Sequence, residues 1–154
     1  MKREQGYTLI ETMIVITIVA ILSAAGLYGW RGWQQQQRLW QTAVQVREYL
    51  VLLRDDANWH NRDRLLAIHK EGNHECLVSA DVEGCPSGEP WTLHPQWPEV
   101  RLSDITPGLA FFGLRNTAWA GHVRLQSPAG SWMVVVSGWG RIRLCQPAQE
   151  NTCL

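Results

Sequence analysis

Residues 6–27, GYTLIETMIVITIVAILSAAGL, decide how the rest of this chain is organised. Residues 8–27 are almost entirely apolar, and as an α-helix they would be about 30 Å long, the thickness of a bilayer core. Lys2 and Arg3 precede this run, and positive charge stays on the cytoplasmic side of a membrane. We therefore predict a single membrane crossing, with the amino terminus in the cytoplasm and the chain after Trp30 on the other side.

An ordinary secretory signal peptide is the main alternative interpretation of this segment. The small residues Ser23, Ala24 and Ala25 could form a cleavage site after the apolar run. Against this stands Glu11, because a charge at mid-bilayer costs about 3 kcal/mol on insertion scales and a signal peptide gains nothing from it. The position of Glu11 predicts a compensating partner.

Composition limits what the remainder of the chain can be. A length of 154 residues, 45% of them hydrophobic, suits one modest domain plus an anchor. The 14 basic and 14 acidic residues cancel, so no whole-protein field attracts nucleic acid or an anionic membrane surface. The nine Trp are expected to supply apolar area to a small core rather than a ligand-stacking surface.

The four Cys all follow the apolar run and predict two disulfides in an oxidising compartment. Three pairings are possible, and the short spacings favour Cys76 with Cys85 and Cys145 with Cys153. A zinc site would need a close pair such as C-x-x-C, which is absent from the sequence, so no metal is expected.

The predicted architecture is α+β, with a long amino-terminal helix packed on an antiparallel, sandwich-like sheet. We expect a leader at residues 1–6, an apolar helix at 7–29, an amphipathic helix at 30–60 and a β-rich head at 61–154. Apolar residues at helical spacing between Trp33 and Ala57 support the second helix. Predicted strands are 65–70, 75–79, 109–114, 122–126, 132–137 and 141–145, with an irregular loop at 80–98.

Gly6, Tyr7 and Glu11, behind a short basic leader and ahead of a long apolar helix, resemble the processing signal of type IV prepilins and type II secretion pseudopilins. The resemblance implies that prepilin peptidase cuts after Gly6 and methylates the new amino terminus at Tyr7. It also implies that Glu11 pairs with the terminal amine of an adjacent subunit and fixes axial register. Most members have Phe where this chain has Tyr7.

One long helix followed only by strands is similar to H-type pseudopilins and FimT-type minor pilins. The resemblance implies a minor pilin, exported to the periplasmic side of the inner membrane, that helps to initiate a type IV pilus near its tip. Its implied partners are prepilin peptidase, other minor and major pilins, and the inner-membrane assembly platform. The alternative is an H-type pseudopilin of a type II secretion system, and the sequence leaves both open.

Arg141 and Arg143 lie in a GRIR segment similar to an element with which some FimT-type minor pilins contact DNA. On a strand the two side chains would share one face about 7 Å apart, near the spacing of phosphates. We favour instead a solvated strand face whose charges protect a sheet edge. The sequence contains none of the common catalytic or phosphate-binding motifs, so it predicts neither an enzyme nor a cofactor.

Overall fold

The computed structural model describes residues 6–148 and 152–154. One helix, α1 (Leu9–His60), is followed by nine strands and a single 3-10 turn at Gly113–Arg115 within these residues. The strands are β1 (Arg64–Glu71), β2 (His74–Ser79), β3 (Thr92–Leu93), β4 (Arg101–Ile105), β5 (Ala110–Phe112), β6 (Thr117–Trp119), β7 (Gly121–Ser127), β8 (Gly130–Val136) and β9 (Ile142–Cys145). The fold is therefore α+β, as the sequence predicts.

The chain divides into two compact units, with the boundary between Gln34 and Gln35. The described part of the first unit is the short segment 6–8 and the amino-terminal part of α1. The second unit contains the rest of α1 and all nine strands, and it is called the head below.

The carboxyl-terminal end of α1 is closed by a left-handed residue and a capping hydrogen bond, without a proline. Asn61 has a φ of 51°, in the left-handed region that Asn tolerates better than most residues. The Arg62 amide donates to the Ala57 carbonyl at 3.1 Å, which completes a Schellman-type cap. A Cβ at Gly113 would collide with the Ala57 carbonyl, so only glycine lets the 3-10 turn lie against this helix end.

The strands of the head form two antiparallel sheets. The first has the order β3-β2-β1-β5-β6, and the second has the order β4-β7-β8-β9. The β1–β2 hairpin pairs Glu71 with His74 across Gly72 and Asn73, and Gly72 has the positive φ that such a turn requires. At the free side of β9, the amide and carbonyl of Leu144 both bond to Leu154.

The core lies where one face of α1 packs on the inner faces of these sheets. Leu39, Val46, Leu50 and Leu53 of the helix are almost completely buried. They meet aliphatic strand residues such as Leu102, Leu125, Val134 and Leu144. Burial of this one helical stripe holds the helix to the sheets, at roughly 1.5–3 kcal/mol for each large aliphatic side chain.

Tryptophan contributes to the margins of this core and not to its interior, so the expectation of a tryptophan-rich core holds only in part. None of the nine Trp is among the buried hydrophobic residues, and Trp33, expected on the packed helix face, is 54% exposed. Trp40, Trp91, Trp97 and Trp132 are half-buried at the margins of the core. Aliphatic side chains fill the interior instead, in line with the general tendency of the large indole to be highly but rarely fully buried.

The strand predictions need three corrections. The strand expected at 109–114 covers only Ala110–Phe112, because residues 113–115 turn as a 3-10 helix against the end of α1. The loop expected at 80–98 contains the two-residue strand β3. The sequence analysis also missed β4 and β6, which are short and half-exposed and therefore lack a clear alternating pattern.

Candidate functional site

The segment around Gly6, Tyr7 and Glu11 opens the described chain. Gly6, Tyr7 and Thr8 are not helical, and α1 begins at Leu9, so the Gly6–Tyr7 bond lies outside the helix. The Thr8 carbonyl accepts from the amides of Glu11 at 3.0 Å and Thr12 at 3.3 Å, which starts the helical hydrogen bonding. An exposed, non-helical peptide bond is accessible to a protease, whereas a helical one must first unwind.

Glycine at position 6 is not required by the packing of this chain. A Cβ placed on Gly6 would meet nothing within 4 Å, and its φ is not in the left-handed region. A side chain at this position therefore has room in the described structure.

Glu11 is exposed, and no described residue forms an ion pair or a side-chain hydrogen bond with it. It lies in a shallow, mostly apolar depression formed with Tyr7, Thr12, Val15 and Ile16. Its position in the first helical turn suits the helix macrodipole, but that contribution is at most about 1 kcal/mol at an exposed site. It does not offset the roughly 3 kcal/mol cost of a charge in hydrocarbon.

Two of the hydroxyls in this apolar segment bond within their own helix. The Thr12 hydroxyl donates to the Leu9 carbonyl and the Thr17 hydroxyl to the Met13 carbonyl, both at 2.8 Å. Such bonds within one helix remove the need for water or a partner at these positions. Glu11 is the one charged side chain among residues 7–29.

Apolar surface surrounds the amino-terminal part of α1 on all sides. Ile10, Ile16, Ile21 and Leu22 are each 63–68% exposed, and the helix is long and apolar enough to cross a membrane. Trp30 and Trp33 follow, with ring centroids 5.2 Å apart. Tryptophan concentrates at membrane–water boundaries, so this pair marks the end of the apolar segment.

A buried ion network in the head was missed by the sequence analysis. Arg64, with its side chain 2% exposed, donates to Asp56 at 2.8 Å and to Asp81 at 2.5 Å. Arg62 also binds Asp56, and the guanidinium of Arg64 lies 4.2 Å from the ring centroid of Trp91. The available signal was an aspartate within the apolar stripe of α1, one position before Ala57. This network connects the helix with β1 and the segment after β2.

The charges of this network alter the ionisation of its carboxyls. Burial alone would raise the pKa of Asp56, but hydrogen bonds from Arg62 and Arg64 outweigh it and leave that pKa lowered. The Ser79 hydroxyl, followed by the charges of Arg64 and Arg62, lowers the pKa of Asp81 against its own desolvation. Both carboxylates therefore remain ionised at neutral pH.

The structure joins Cys76 to Cys85 and Cys145 to Cys153, the pairing that the short spacings favour. The first disulfide fastens the segment after β2, and the second fastens residues 152–154 beside β9. Within the described residues, no group of three His, Cys, Asp or Glu side chains could hold a metal ion.

Arg141 and Arg143 are far from the amino-terminal segment in sequence and belong to the head. Both are exposed and alternate with buried Ile142 and Leu144, so they lie on the outer face of the second sheet. They adjoin Trp139, which is 86% exposed. The two side chains therefore lie on one face, as predicted.

Comparison with known proteins shows which sequences this chain resembles. Residues 1–27 match the model of the prokaryotic N-terminal methylation motif. Relatives named as outer membrane proteins occur in Chlamydia pneumoniae and Chlamydia trachomatis. The first is 29% identical over 74% of this chain and 91% of its own length, and the second is 30% identical over 72% and 88%. No solved structure matches the chain.

Proposed function

Because the chain belongs to the family of these chlamydial proteins and begins with the methylation motif of type IV pilin-like proteins, we propose that it is a minor pilin. Proteins with this motif are structural rather than enzymatic, are processed by prepilin peptidase and assemble with other pilins in the membrane. The proposed role is to help initiate a type IV pilus near its tip, as in the minor pilin called prepilin-peptidase-dependent protein A.

The exposed Glu11, the one charged side chain on an otherwise uncharged apolar segment, is the observation that carries this proposal. After cleavage at Gly6, Tyr7 would bear a positive amine close to the hydrocarbon region. Pairing of Glu11 with the amine of a neighbouring subunit would neutralise both charges in one contact. A buried pair of this kind specifies register more than it adds stability.

The proposed topology follows from the same segment. The apolar part of α1 anchors the chain in a membrane, and Lys2 and Arg3 place its amino terminus in the cytoplasm. The head would then lie in the periplasm, where its two disulfides can form and persist. The membrane concerned would be the inner membrane, from which the assembly platform delivers the subunit to the pilus.

Mass spectrometry of the full chain from cells with and without prepilin peptidase tests the processing step. With the peptidase, we expect a chain that lacks residues 1–6 and carries one added methyl group. Without it, the chain should keep its full length. A cut near Ala25 would show an ordinary signal peptide and would contradict the proposal.

The requirement for glycine at the cleavage position allows a sharper test. Gly6→Val should block cleavage by prepilin peptidase. Because this chain itself has room for the side chain, a block would come from the fit to the peptidase and not from misfolding of the substrate. Gly29→Val is the matched control, since a Cβ at Gly29 also meets nothing within 4 Å. Cleavage of the Gly6→Val chain at the normal rate would remove this argument.

An H-type pseudopilin would share the anchor and the head described above. Deleting the chain and measuring surface pili and protein secretion in parallel separates the two roles. Loss of pili with normal secretion supports the minor pilin. Loss of secretion with normal piliation would assign the chain to a type II secretion system instead.

A further inference from the structure

The two edges of the second sheet are covered by different means. Among the described strands, none continues the order β4-β7-β8-β9 beyond β4 or β9. At β4, the Leu102 amide donates to the Glu75 carboxylate at 3.0 Å, so a side chain takes the place of a strand carbonyl. An open edge would present unpaired amides and carbonyls to any other extended chain, and folded proteins normally block it.

At β9, the edge is covered by residues 152–154, which we call the strap. The Leu144 amide donates to the Leu154 carbonyl at 2.9 Å, and the Leu154 amide donates to the Leu144 carbonyl at 2.7 Å. Cys145 and Cys153 form an antiparallel bridge beside these bonds. The strap therefore occupies the position that a neighbouring strand would take.

The side chains of the strap contribute little to holding it on β9. Thr152, Cys153 and Leu154 are all exposed, and Leu154 keeps 64% of its surface accessible. Hydrophobic burial, which stabilises the core, is therefore small in the strap. Its described contacts are the disulfide to Cys145 and three backbone hydrogen bonds, the third from the Gln146 amide to the Thr152 carbonyl at 3.5 Å.

Three backbone hydrogen bonds do not fix a short exposed segment by themselves. Each bond gains little net free energy, because the same groups bond to water when the segment is released. Ordering each residue of the strap costs at least as much in conformational entropy. A covalent tether removes part of that cost, because a segment already joined to its docking site has less freedom to lose. The disulfide therefore decides whether the edge of β9 is covered.

We propose that the disulfide between Cys145 and Cys153 is a redox-controlled latch that keeps the strap on the edge of β9. When the latch is reduced, the strap leaves, and the backbone groups of Leu144 become available to an extended segment of another chain. β9 itself stays in the sheet, because it pairs with β8 over Ile142–Cys145 and the side chain of Leu144 is 1% exposed. The change is local to the edge.

The latch opens and closes by thiol–disulfide exchange. One thiol of a dithiol reductant attacks a sulfur of the disulfide, and its second thiol then resolves the mixed disulfide. Two electrons and two protons pass from the dithiol to Cys145 and Cys153, which become thiols, and the reductant becomes a disulfide. The latch therefore closes in an oxidising compartment and stays open in a reducing one. A covered edge would mark a chain whose head has reached the oxidising side of the membrane.

The other disulfide of the head supplies a matched control. It joins Cys76, whose side chain is buried in β2, to Cys85 in the segment that follows β2. β2 lies between β3 and β1 in the first sheet. Opening this disulfide therefore uncovers no edge of the second sheet.

Hydrogen exchange of the full chain in detergent micelles, followed by mass spectrometry of peptides from β7 and β9, tests the latch. Cys145→Ser with Cys153→Ser should raise the exchange rate of the Leu144 and Gln146 amides at least about tenfold, because the strap no longer covers them. The amides of β7, which is paired on both sides, should stay protected.

Three results of this experiment would overturn the proposal. One is unchanged protection of the Leu144 amide without the disulfide. Another is loss of protection in β7 as well, since the disulfide would then hold the whole head and not the edge. The third comes from Leu154→Ala, which should leave exchange unchanged. An equal rise in that variant would assign the hold on the strap to the Leu154 side chain.

Cys76→Ser with Cys85→Ser should leave exchange at Leu144 unchanged, and this variant also tests the switch. The latch is its remaining disulfide, so dithiothreitol should raise exchange at Leu144 and reoxidation should lower it again. Light scattering in about 0.15 M salt should show association of the reduced chains that reoxidation reverses. Reduced chains that associate no more than oxidised ones would overturn the guarding role of the strap. Neither measurement depends on cleavage at Gly6, so a failed latch leaves the minor pilin proposal intact.

Discussion

The two ends of α1 contain similar apolar side chains in opposite environments. Leu22 is 66% exposed and Ile16 is 68% exposed, whereas Leu50 and Leu53 are completely buried in the head. The difference lies in pattern and not in composition. Near Leu53 the apolar residues form one stripe that the sheets cover, but near Leu22 they surround the helix and require lipid or other helices.

The carboxylates of the two regions differ in the same way. Asp56 is held by Arg62 and Arg64, so the chain itself supplies the compensating charge. Glu11 has no such partner among the described residues. The fold that surrounds Asp56 already supplies its counter-charges, whereas a carboxylate left without a partner in apolar surroundings indicates a contact with another molecule.

The largest expected effect comes from removing the unpartnered carboxylate. Glu11→Ala should reduce incorporation into pili at least about tenfold, because the register contact with the neighbouring amine is lost. Immunoblots of sheared pili against total cell protein measure this. Glu48→Ala removes an equal charge from an exposed position in the head and should leave incorporation unchanged. Normal incorporation of the Glu11→Ala chain would contradict the assigned role of Glu11.

The buried partner of Arg64 should show the opposite behaviour. Asp56→Asn should lower the free energy of unfolding by about 3–5 kcal/mol, since it leaves a buried guanidinium with one partner fewer. Denaturant titration of the full chain in detergent, followed by tryptophan fluorescence, measures the loss. Asp55→Asn, on the exposed neighbour, should change it by less than about 1 kcal/mol. Equal losses in both variants would show that burial of this pair does not matter.

Leucines from the two parts of α1 make the comparison direct. Leu53→Ala should destabilise the head by about 2–5 kcal/mol, because it opens a cavity in a closed core. Leu52→Ala is the neighbouring control, since that side chain is 50% exposed and should cost far less. Leu22→Ala should leave unfolding of the head unchanged. A similar loss of unfolding free energy for Leu22→Ala would contradict the view that only the buried face of α1 stabilises the head.

Lowering the pH should reduce the free energy of unfolding of the head gradually, with a smaller effect than the substitutions above. The folded-state pKa values of Asp56 and Asp81 are lowered, so their contribution to stability is fully present above the ordinary aspartate range near 4. It is lost as the pH falls through the lowered values. Denaturant midpoints between about pH 7 and pH 3 should therefore decrease, and less so for Asp56→Asn. A midpoint that rises on acidification would contradict this sign.

The parts of the structure that depend on local pattern were accessible from the sequence. The apolar run, the helix and the β1–β2 hairpin each combine a clear period with defined boundary residues such as Gly72. The short strands β4 and β6 were missed because their pairing is set by distant partners and not by their own few residues. The network of Arg64 was missed for the same reason, since its partners are 8 and 17 positions away.

The tryptophans show the limit of composition as evidence. Their number suggested a core, yet Trp59 and Trp139 are each 86% exposed. The burial of a large side chain depends on the space that its neighbours leave. The number of tryptophans in a sequence carries no information about that space.

The internal bonds of Thr12 and Thr17 affect how subunits can exchange neighbours. A helix whose Thr12 and Thr17 hydroxyls donate to its own carbonyls offers fewer specific hydrogen bonds to lipid and to adjoining helices. It can rotate and glide past them without breaking a series of specific bonds. In the proposed pilus, the contact of Glu11 would then be the specific bond that opens when a misplaced subunit corrects its position.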